Sequence, residues 1–567
     1  MDDAGLASSG LRIRPRPSVT PDTAFWWDGL TAGELRIQRC TDCTTLRHPP
    51  EPGCASCGSL SSDWIVATGA GTVHSHVLVH EPRFEAFPGP YTVALIDLDE
   101  GVRLVAGVEG GDVSSGDVAI GMRVRCEIRD FDGLALPVFV PPRPAGARPA
   151  EPETAPETAQ RTGPKVAPAR HPARREDGGS TGTAIAGIGA TEFSARSGRS
   201  ELRLAVEAVR AALDDAGIAP SEVDGLVTFA HDSSPEVAVA RSLGIGGLSF
   251  TDRVQYGGGD YCATVAHAAM AVRTGMADVV VCYRAFNERS GQRYGLGFGD
   301  KRPLYDSADE AQYGWSLPFG LLNAAGWIGM WARRYMHETG ATSADFGRVT
   351  VAARRHAATN PAARFHGRPI TLEDHAASRW ITEPLRLLDC CMESDGAVAV
   401  VVTSVERARD LRQRPAVIAT ATQAAGPSQH VMADYYRDSV TDTAALDLAA
   451  RRIWERSGLG PDDVQAAILY DHFSPAVLAQ LESFGFCGRG EAAAYVADVG
   501  IGVGDRMAVN PHGGLLGEAY IHGMNGLAEA VRQIRGTSVN QVPGARHVLC
   551  SSPPGLPASA VLLASDG

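Results

Sequence analysis

Two hydrophobic rhythms divide the chain. From Thr183 onward, apolar strand-like runs alternate with amphipathic stretches. AIAGIGATEF, from Ala184 to Phe193, reads as a strand. Ser200 then stands where a helix N-cap belongs, and ELRLAVEAVRAALDDAG repeats its apolar residues at helical spacing. VDGLVTFA, from Val223 to Ala230, is the next predicted strand. The same succession returns in AVIATATQAAG (Ala416 to Gly426), LDLAARRIWERSG and QAAILYD (Gln465 to Asp471). This alternation predicts an α/β architecture of two similar halves. Upstream the rhythm changes. FWWDGLTAGELRIQRC predicts an amphipathic helix leading into a strand. GAGTVHSHVLVHEP, YTVALIDLDEGVRLVAGVEG and GMRVRCEIRDFDGLALPVF are turn-separated strands suited to a small all-β barrel. From Pro141 to Gly182 the sequence is Pro, Ala, Arg, Glu and Thr with hardly a bulky apolar residue, the composition of a linker. The expected division is residues 1–142, a linker over 143–182, and residues 183–567.

Charge and composition narrow the classes. A net charge of -14 argues against nucleic acid as the main partner. No apolar run approaches the roughly 18 residues of a membrane span, and Met1 to Pro17 lacks a signal-peptide core. The expected compartment is the cytoplasm, where the 11 cysteines stay mostly reduced and paired C-x-x-C elements signify metal. Cys40 and Cys43 form one such pair, Cys54 and Cys57 the other. Four thiolates complete a tetrahedral Zn²⁺ shell and leave no open position, so the zinc is structural. The aromatic helix, zinc ribbon and barrel strands over Thr23 to Pro142 resemble a family of acyl-CoA-associated OB-fold proteins. That resemblance implies a domain that docks on a thiolase-like enzyme as partner or fusion. An OB-fold that binds single-stranded nucleic acid would need interleaved basic and aromatic residues, which the region lacks.

The remainder resembles thiolases, most closely the sterol-carrier-protein thiolases and their lipid-transfer-protein aldolase relatives. The matching segments are YDHFSPAVLAQLESFGFCGRGE, NPHGGLLGEAYIHGMNGLAEAV and LLDCCMESDGAVAVVVTS. The resemblance implies a layered αβαβα thiolase fold, an acyl-CoA substrate with coenzyme A as part of it, and a homodimer through this domain. The catalytic positions depart from the thiolase pattern. Counting back without gaps from Gly275 to Asp278 puts the thiolase nucleophile on Gly258, inside Gly257-Gly258-Gly259. Cys262 lies a turn further into the helix, where it should pack. The histidine of the thiolase H-D-C-F-S segment falls on Tyr470, with Asp471 matching directly and His472 in place of cysteine. The histidine after N-P-S-G-G falls on Tyr520, with Asn510, Pro511, Gly523 and Gly526 holding the register. The second thiolase cysteine falls on Ser552, with Cys550 nearby.

Loss of the nucleophile together with two tyrosine replacements implies a different reaction on an acyl-CoA scaffold. The lipid-transfer-protein aldolases of steroid side-chain breakdown look like this. Retro-aldol cleavage of a β-hydroxyacyl-CoA thioester needs no covalent nucleophile. A base takes the β-hydroxyl proton, the Cα–Cβ bond breaks, a ketone or aldehyde leaves, and the enolate is stabilised and protonated. The expected proton-transfer pair is Tyr470 and Tyr520. His512, His472 and Asp471 are further catalytic candidates: the two histidines, with His522, as the cation or donor network a phenolate would need, and Asp471 either as a base or as the group that orients its own motif's backbone. Gly258, Gly259, His522 and Asn525 are candidates for oxyanion or substrate contact. The competing expectations are an acyl-CoA thiolase using Cys262, a Claisen-type or C-acyl transferase of natural-product biosynthesis, and a non-catalytic lipid or acyl-CoA binding protein.

Overall fold

The computed structural model describes residues 11–109, 117–142, 181–291, 293, 311–432 and 435–566. The expected linker, apart from 181 and 182, lies outside them. The helix Ala24–Thr31 turns Trp26, Trp27 and Leu30 inward. It leads into a three-stranded antiparallel ribbon of β1 (Arg36–Cys40), β2 (Leu46–Arg47) and β3 (Ser62–Val66), in the order β2-β1-β3. Five longer strands follow: β4 (Ala70–Val79), β5 (Tyr91–Leu98), β6 (Arg103–Val108), β7 (Arg123–Asp130) and β8 (Ala135–Val140). β4 pairs with β5 on one side and with β7 on the other, which closes the barrel the strand pattern predicts. A register shift between Val73 and Ser75 bends β4 around that curve.

The second part contains β9 (Thr183–Ala190), β10 (Gly225–Phe229), β11 (Phe250–Val254), β12 (Val279–Asn287), a short hairpin of β13 (Trp380–Glu383) and β14 (Leu385–Arg386), and β15 (Asp395–Ser404). Then come β16 (Ala416–Ala424), β17 (Ala466–Leu469), β18 (Ala508–Val509), β19 (His547–Ser551) and β20 (Ala558–Ser565). Ten of these make one sheet, in the order β11-β10-β12-β15-β9-β16-β20-β19-β17-β18. Each half of that sheet has the same internal order. Numbering each half's own strands along the chain, both run 3-2-4-5-1 from the outer edge inward, with the same parallel and antiparallel pairings. The duplication seen weakly in the sequence is therefore a repeat of topology. The halves meet where Ala184 and Ile185 of β9 face Val417 and Ala416 of β16.

Helices Tyr261–Arg273 and Met524–Arg535 lie between the halves and share one core with strands of both. Helix Glu201–Ala216 covers the outer face of the first half. Helices Ala324–Thr339, Ser343–Thr359, Ala444–Ser457 and Ser474–Ser483 cover that of the second. The result is the expected layered thiolase fold. Ser200 caps its helix as the sequence predicts, its hydroxyl accepting the Arg203 N–H at 3.2 Å. β9 accepts that helix closely because a Cβ on Gly187 or Gly189 would run into the helix carbonyls of Ala212 and Ala208.

The N-terminal domain docks on this layer stack, as the resemblance implies. Trp315 stacks on Trp27 at 5.4 Å between centroids and meets Trp26 and His48 edge-on at 5.1 Å each. Ser75 donates to the Met330 carbonyl at 2.7 Å. The buried Arg103 binds Asp97 and reaches the carbonyls of Arg437 and Asp438. The β13 hairpin joins the barrel sheet, Thr382 and Glu383 pairing with Val79 and Leu78 of β4.

Candidate functional site

In the ribbon, the four cysteine sulfurs lie within 4.8 Å of one another, with Cys40 and Cys57 at 3.6 Å and Cys43 and Cys54 at 3.5 Å. A Zn–S bond of about 2.3 Å gives a tetrahedron with edges of about 3.8 Å, so the cluster fits the ion. The Thr45 hydroxyl and backbone hold the Cys43 thiol down at about 6, which favours the ligating thiolate. The zinc is structural: cysteines fill the shell, and the ribbon stands outside the thiolase-like sheet.

The second constellation forms where the two halves of the ten-stranded sheet face each other. At the end of β11 the chain turns through Tyr256 and Gly257, both at positive φ, into Gly258 and Gly259 and then the central helix Tyr261–Arg273. This is where the thiolase count puts the nucleophile. A Cβ on Gly258 would sit 2.7 Å from Cε2 of Tyr470 and closer still to its Cζ and hydroxyl. The tyrosine occupies the volume a nucleophilic side chain would need. Absence of the cysteine and presence of the tyrosine are one steric fact.

Tyr470 leaves the end of β17 and is held by its backbone. Gln480 accepts its N–H at 2.8 Å and donates to its carbonyl at 2.9 Å. Asn510, itself at positive φ, extends the strand by binding both the N–H and the carbonyl of Leu469. The Tyr470 hydroxyl donates to the Tyr520 oxygen at 3.1 Å, and the Tyr520 N–H is bound by the Ser394 hydroxyl. Burial drives both phenols well above their ordinary value of 10. The hydroxyl contact eases Tyr470 slightly downward, while the nearby Glu288 and Cys391 push both upward.

The histidines do not supply the cation expected for a phenolate. Burial holds His472 down at about 3 and His512 at about 4, and pushes His522 well below 6.5, with Arg284 adding to the last. All three are neutral. His522 has a defined tautomer. The Nε–H of Arg284 donates to its Nδ1 at 3.1 Å, and arginine cannot accept, so the ring proton sits on Nε2. Nε2 lies 3.4 Å from where a Gly257 Cβ would be, so the ring faces the glycine turn as a neutral donor. Arg284 is 1 % exposed, paired to Asp232 at 2.9 Å and packed over Phe286.

Other expected residues take different parts. Asp471 accepts the backbone N–H of Leu515 at 2.7 Å and of Leu516 at 3.4 Å, so it orients the Asn510 loop. Burial lifts its carboxyl to about 7. The Gly259 N–H is not an oxyanion donor, because it donates to the Tyr256 carbonyl at 2.9 Å. Gly258 remains the candidate of that pair. Asn525 donates to Glu518 and to the Ala519 carbonyl, and its buried Oδ1 has no partner among the described residues. His472 packs edge-on to Tyr470 at 5.1 Å, and the buried Nδ1 atoms of His472 and His512 likewise have none among the described residues. Cys262 is fully buried and its thiol pushed up by burial, as expected of a packing residue. Ser552, in place of the second thiolase cysteine, accepts the Ser559 N–H at 2.8 Å.

Three residues of this site escaped the sequence reading. Arg284 and Phe286 alternate along β12 and so share one face, and Glu288 opens the turn just past its end. Phe286 meets Tyr520 at 6.1 Å and His522 at 5.2 Å. Glu288 is 4 % exposed, and its Oε2 has no partner among the described residues. The sequence signal was an arginine inside a mostly apolar strand and a glutamate just past its end.

Comparison with known proteins agrees with this geometry. Residues 27–62 match the family described as ChsH2, rubredoxin-like zinc ribbon domain, and residues 64–129 match ChsH2, C-terminal OB-fold domain. Residues 401–564 match the thiolase C-terminal domain-like family. The chain is 61% identical over 383 residues to the steroid side-chain-cleaving aldolase of Thermomonospora curvata, covering 68% of this chain and 98% of that one. It is 59% identical over 382 residues to the 17-hydroxy-3-oxo-4-pregnene-20-carboxyl-CoA lyase of Mycobacterium tuberculosis, covering 67% of this chain and 98% of that one. The solved structure of an Ltp2-ChsH2(DUF35) aldolase superposes with a TM-score of 0.65 at 59% identity, over 69% of this chain and 98% of that one. The expectations of a thiolase, an acyl transferase and a non-catalytic binder give way to this result. The chain belongs to the lipid-transfer-protein aldolases of the thiolase superfamily, carbon–carbon lyases that cleave a β-hydroxyacyl-CoA by retro-aldol chemistry, and it carries its zinc-ribbon OB-fold domain in the same polypeptide.

Proposed function

We propose that Tyr470 and Tyr520 form the proton-transfer pair of this cleavage, acting as neutral phenols on a steroid acyl-CoA that carries a tertiary hydroxyl on its β-carbon. The observation that carries the reading is the 3.1 Å contact between the two hydroxyls over the side-chain-free Gly258. With the three histidines neutral, each tyrosine accepts one proton only as it passes another on. A hydroxyl relay of this kind links the β-hydroxyl to the Cα that is protonated after the bond breaks. The His522 Nε2–H and the Gly258 N–H face the same turn and suit the thioester oxygen as it becomes an enolate oxygen. The steroid class rests on the names of the relatives, whose 17-hydroxy and 20-carboxyl-CoA groups place the hydroxyl β to the thioester.

Tyr520→Phe and Tyr470→Phe test the pair, since each removes only a hydroxyl. Ketone release from a β-hydroxyacyl-CoA should slow by roughly 10²–10⁴-fold in each, with acyl-CoA binding retained. The double variant should be less than multiplicative. Rates within a few-fold of wild type in both would end the tyrosine assignment.

The domain division at 142 and 183 and a homodimer belong to the same reading. β11 is an outer edge of the sheet with alternating exposure, and Met270 on the helix Tyr261–Arg273 and Met276 and Tyr256 on nearby turns stand exposed, a surface suited to a second copy. Sedimentation at a single-chain mass would count against the dimer. The cytoplasm suits a zinc site that needs reduced thiolates. No described helix is long and apolar enough to cross a membrane.

A further inference from the structure

The tyrosine pair moves a proton but has nowhere to hold one. Between cleavage and protonation of Cα, the proton taken from the β-hydroxyl must rest on some group. Both phenols are neutral, and the three histidines around them are neutral and disfavour a second proton. Asp471 has its oxygens committed to backbone N–H groups. Glu288, on the turn just past β12, is a further buried carboxyl, and its Oε2 has no partner among the described residues.

We propose that Glu288 is the proton store of the reaction, taking through the tyrosine pair the proton of the substrate's β-hydroxyl and returning it for delivery to Cα. The inference rests on the tyrosine reading above. Three observations carry it. Glu288 opens the turn just past β12, two residues after Phe286, and Phe286 packs against Tyr520 and His522. Its carboxyl is buried, yet Oε2 has no partner among the described residues, a costly state unless a mobile proton or a substrate group visits it. The turn that carries Glu288 is tied to the same place, since the Arg289 and Ser290 N–H groups donate to Asp395 at 2.9 and 3.0 Å, and Asp395 follows Ser394, whose hydroxyl accepts the Tyr520 N–H at 3.2 Å.

The steps balance. As the β-hydroxyl proton moves to a tyrosine oxygen, the tyrosines pass a proton to the Glu288 carboxylate. The alkoxide electron pair becomes the ketone C=O, and the Cα–Cβ pair becomes the enolate. Glu288 then releases its proton back through the hydroxyls to Cα. The site ends with the protons it began with, and no co-reactant is consumed.

The groups around Glu288 suit this part. Burial, first, and then Glu393 raise its proton affinity, while the Ser394 N–H, Arg284 and Arg293 lower it. Tyr470, Tyr520 and Cys391 face it as neutral groups. The carboxylate form is the acceptor, so activity rises with pH as Glu288 ionises, giving an acid limb well above the ordinary carboxylate range.

The test measures kcat, KM and the pH profile of ketone release for wild type, Glu288→Gln and Glu288→Asp. Glu288→Gln should lower kcat about 100-fold or more, leave KM within a few-fold, and remove the acid limb. It should equally slow deuterium uptake at Cα of the acyl-CoA product in D₂O. Glu288→Asp should recover part of kcat with a displaced limb, and it carries the test alone if the glutamine variant does not fold. Glu288→Gln with near wild-type kcat, or with an unchanged acid limb, overturns the proposal. If it does so while both Tyr→Phe variants are crippled, only the proton store falls. If the Tyr→Phe variants are also active, the tyrosine reading falls first.

Discussion

The two halves of the catalytic sheet share one strand order and one set of pairings, yet they contribute unlike things to the site. The second half supplies the loops bearing Tyr470, His472, His512, Tyr520 and His522. At the matching place, the loop after β11, the first half supplies three glycines. Its side chains enter from β12 instead, where Arg284 fixes the tautomer of His522 and Phe286 packs against Tyr520. One copy of the repeat gives functional groups, and the other gives room and electrostatic control. Such a division can change the chemistry of a duplicated fold without changing its topology, because volume given up by one half can be filled by a side chain of the other.

The comparison breaks most sharply at Gly258. A methyl group there competes with the ring of Tyr470 for the same space. Gly258→Ala should lower kcat by about 10²-fold or more, since displacing a reacting group by 1 Å already has that effect. It should also destabilise the fold by roughly 1–3 kcal/mol through overpacking. Tyr470→Ala should relieve the stability loss in the double variant, and strictly additive unfolding energies would refute the shared volume.

Electrostatic control by the first half is tested at Arg284. Lysine keeps the charge but not the fixed Nε–H that binds His522. Arg284→Lys should slow turnover by roughly tenfold, with KM little changed. NMR of the His522 ring should show mixed tautomers, and a single Nε2–H form in the variant would show that Arg284 is not what sets it.

Acid should act unequally on the halves. His472 and His512 in the second half, and His48 and His430 in the docking seam, are held at about 3 to 4 by burial. Their folded values lie below the unfolded value of about 6.5, so the unfolded chain binds more protons between these limits. The stability they contribute is complete above about pH 6.5 and is lost as pH falls toward 4. Hydrogen exchange at pH 5 should loosen residues 466–535 before 183–290. Uniform protection would mean that these burials are not limiting.

The smallest effect is expected at Cys262. It is fully buried one turn past the glycines, so Cys262→Ala should cost about 1 kcal/mol of stability and leave turnover within a few-fold. An acyl-enzyme on Cys262 would return the first half to thiolase chemistry.

Much of this was legible in the chain because its causes are local. Cysteine spacing fixes the zinc site, Ser200 fixes its helix start, and the glycines around Tyr520 fix its register. What stayed hidden depends on contacts distant in sequence. Asp471 reads equally as a base or as an orienter of its own motif, and only the distant Leu515 and Leu516 N–H groups decide for the second. Glu288 reads as the polar residue after an apolar strand until Phe286, two residues before it, meets Tyr520 of the second half. The docking surface is hidden for the same reason, since Trp315 finds Trp26 and Trp27 only after both parts fold.

The β13 hairpin bears on how such a molecule is produced and divided. β7 covers only the first residues of β4, and at the other end of the strand Leu78 and Val79 take their pairing from the catalytic part. Made alone, the N-terminal domain would show bare backbone donors and acceptors there and an uncovered tryptophan pair, a surface prone to sticking to other chains. Covalent continuity keeps the covering segment at high local concentration in every molecule, at a fixed one-to-one ratio. A split version should therefore give soluble protein on co-expression and aggregates when the pieces are made apart.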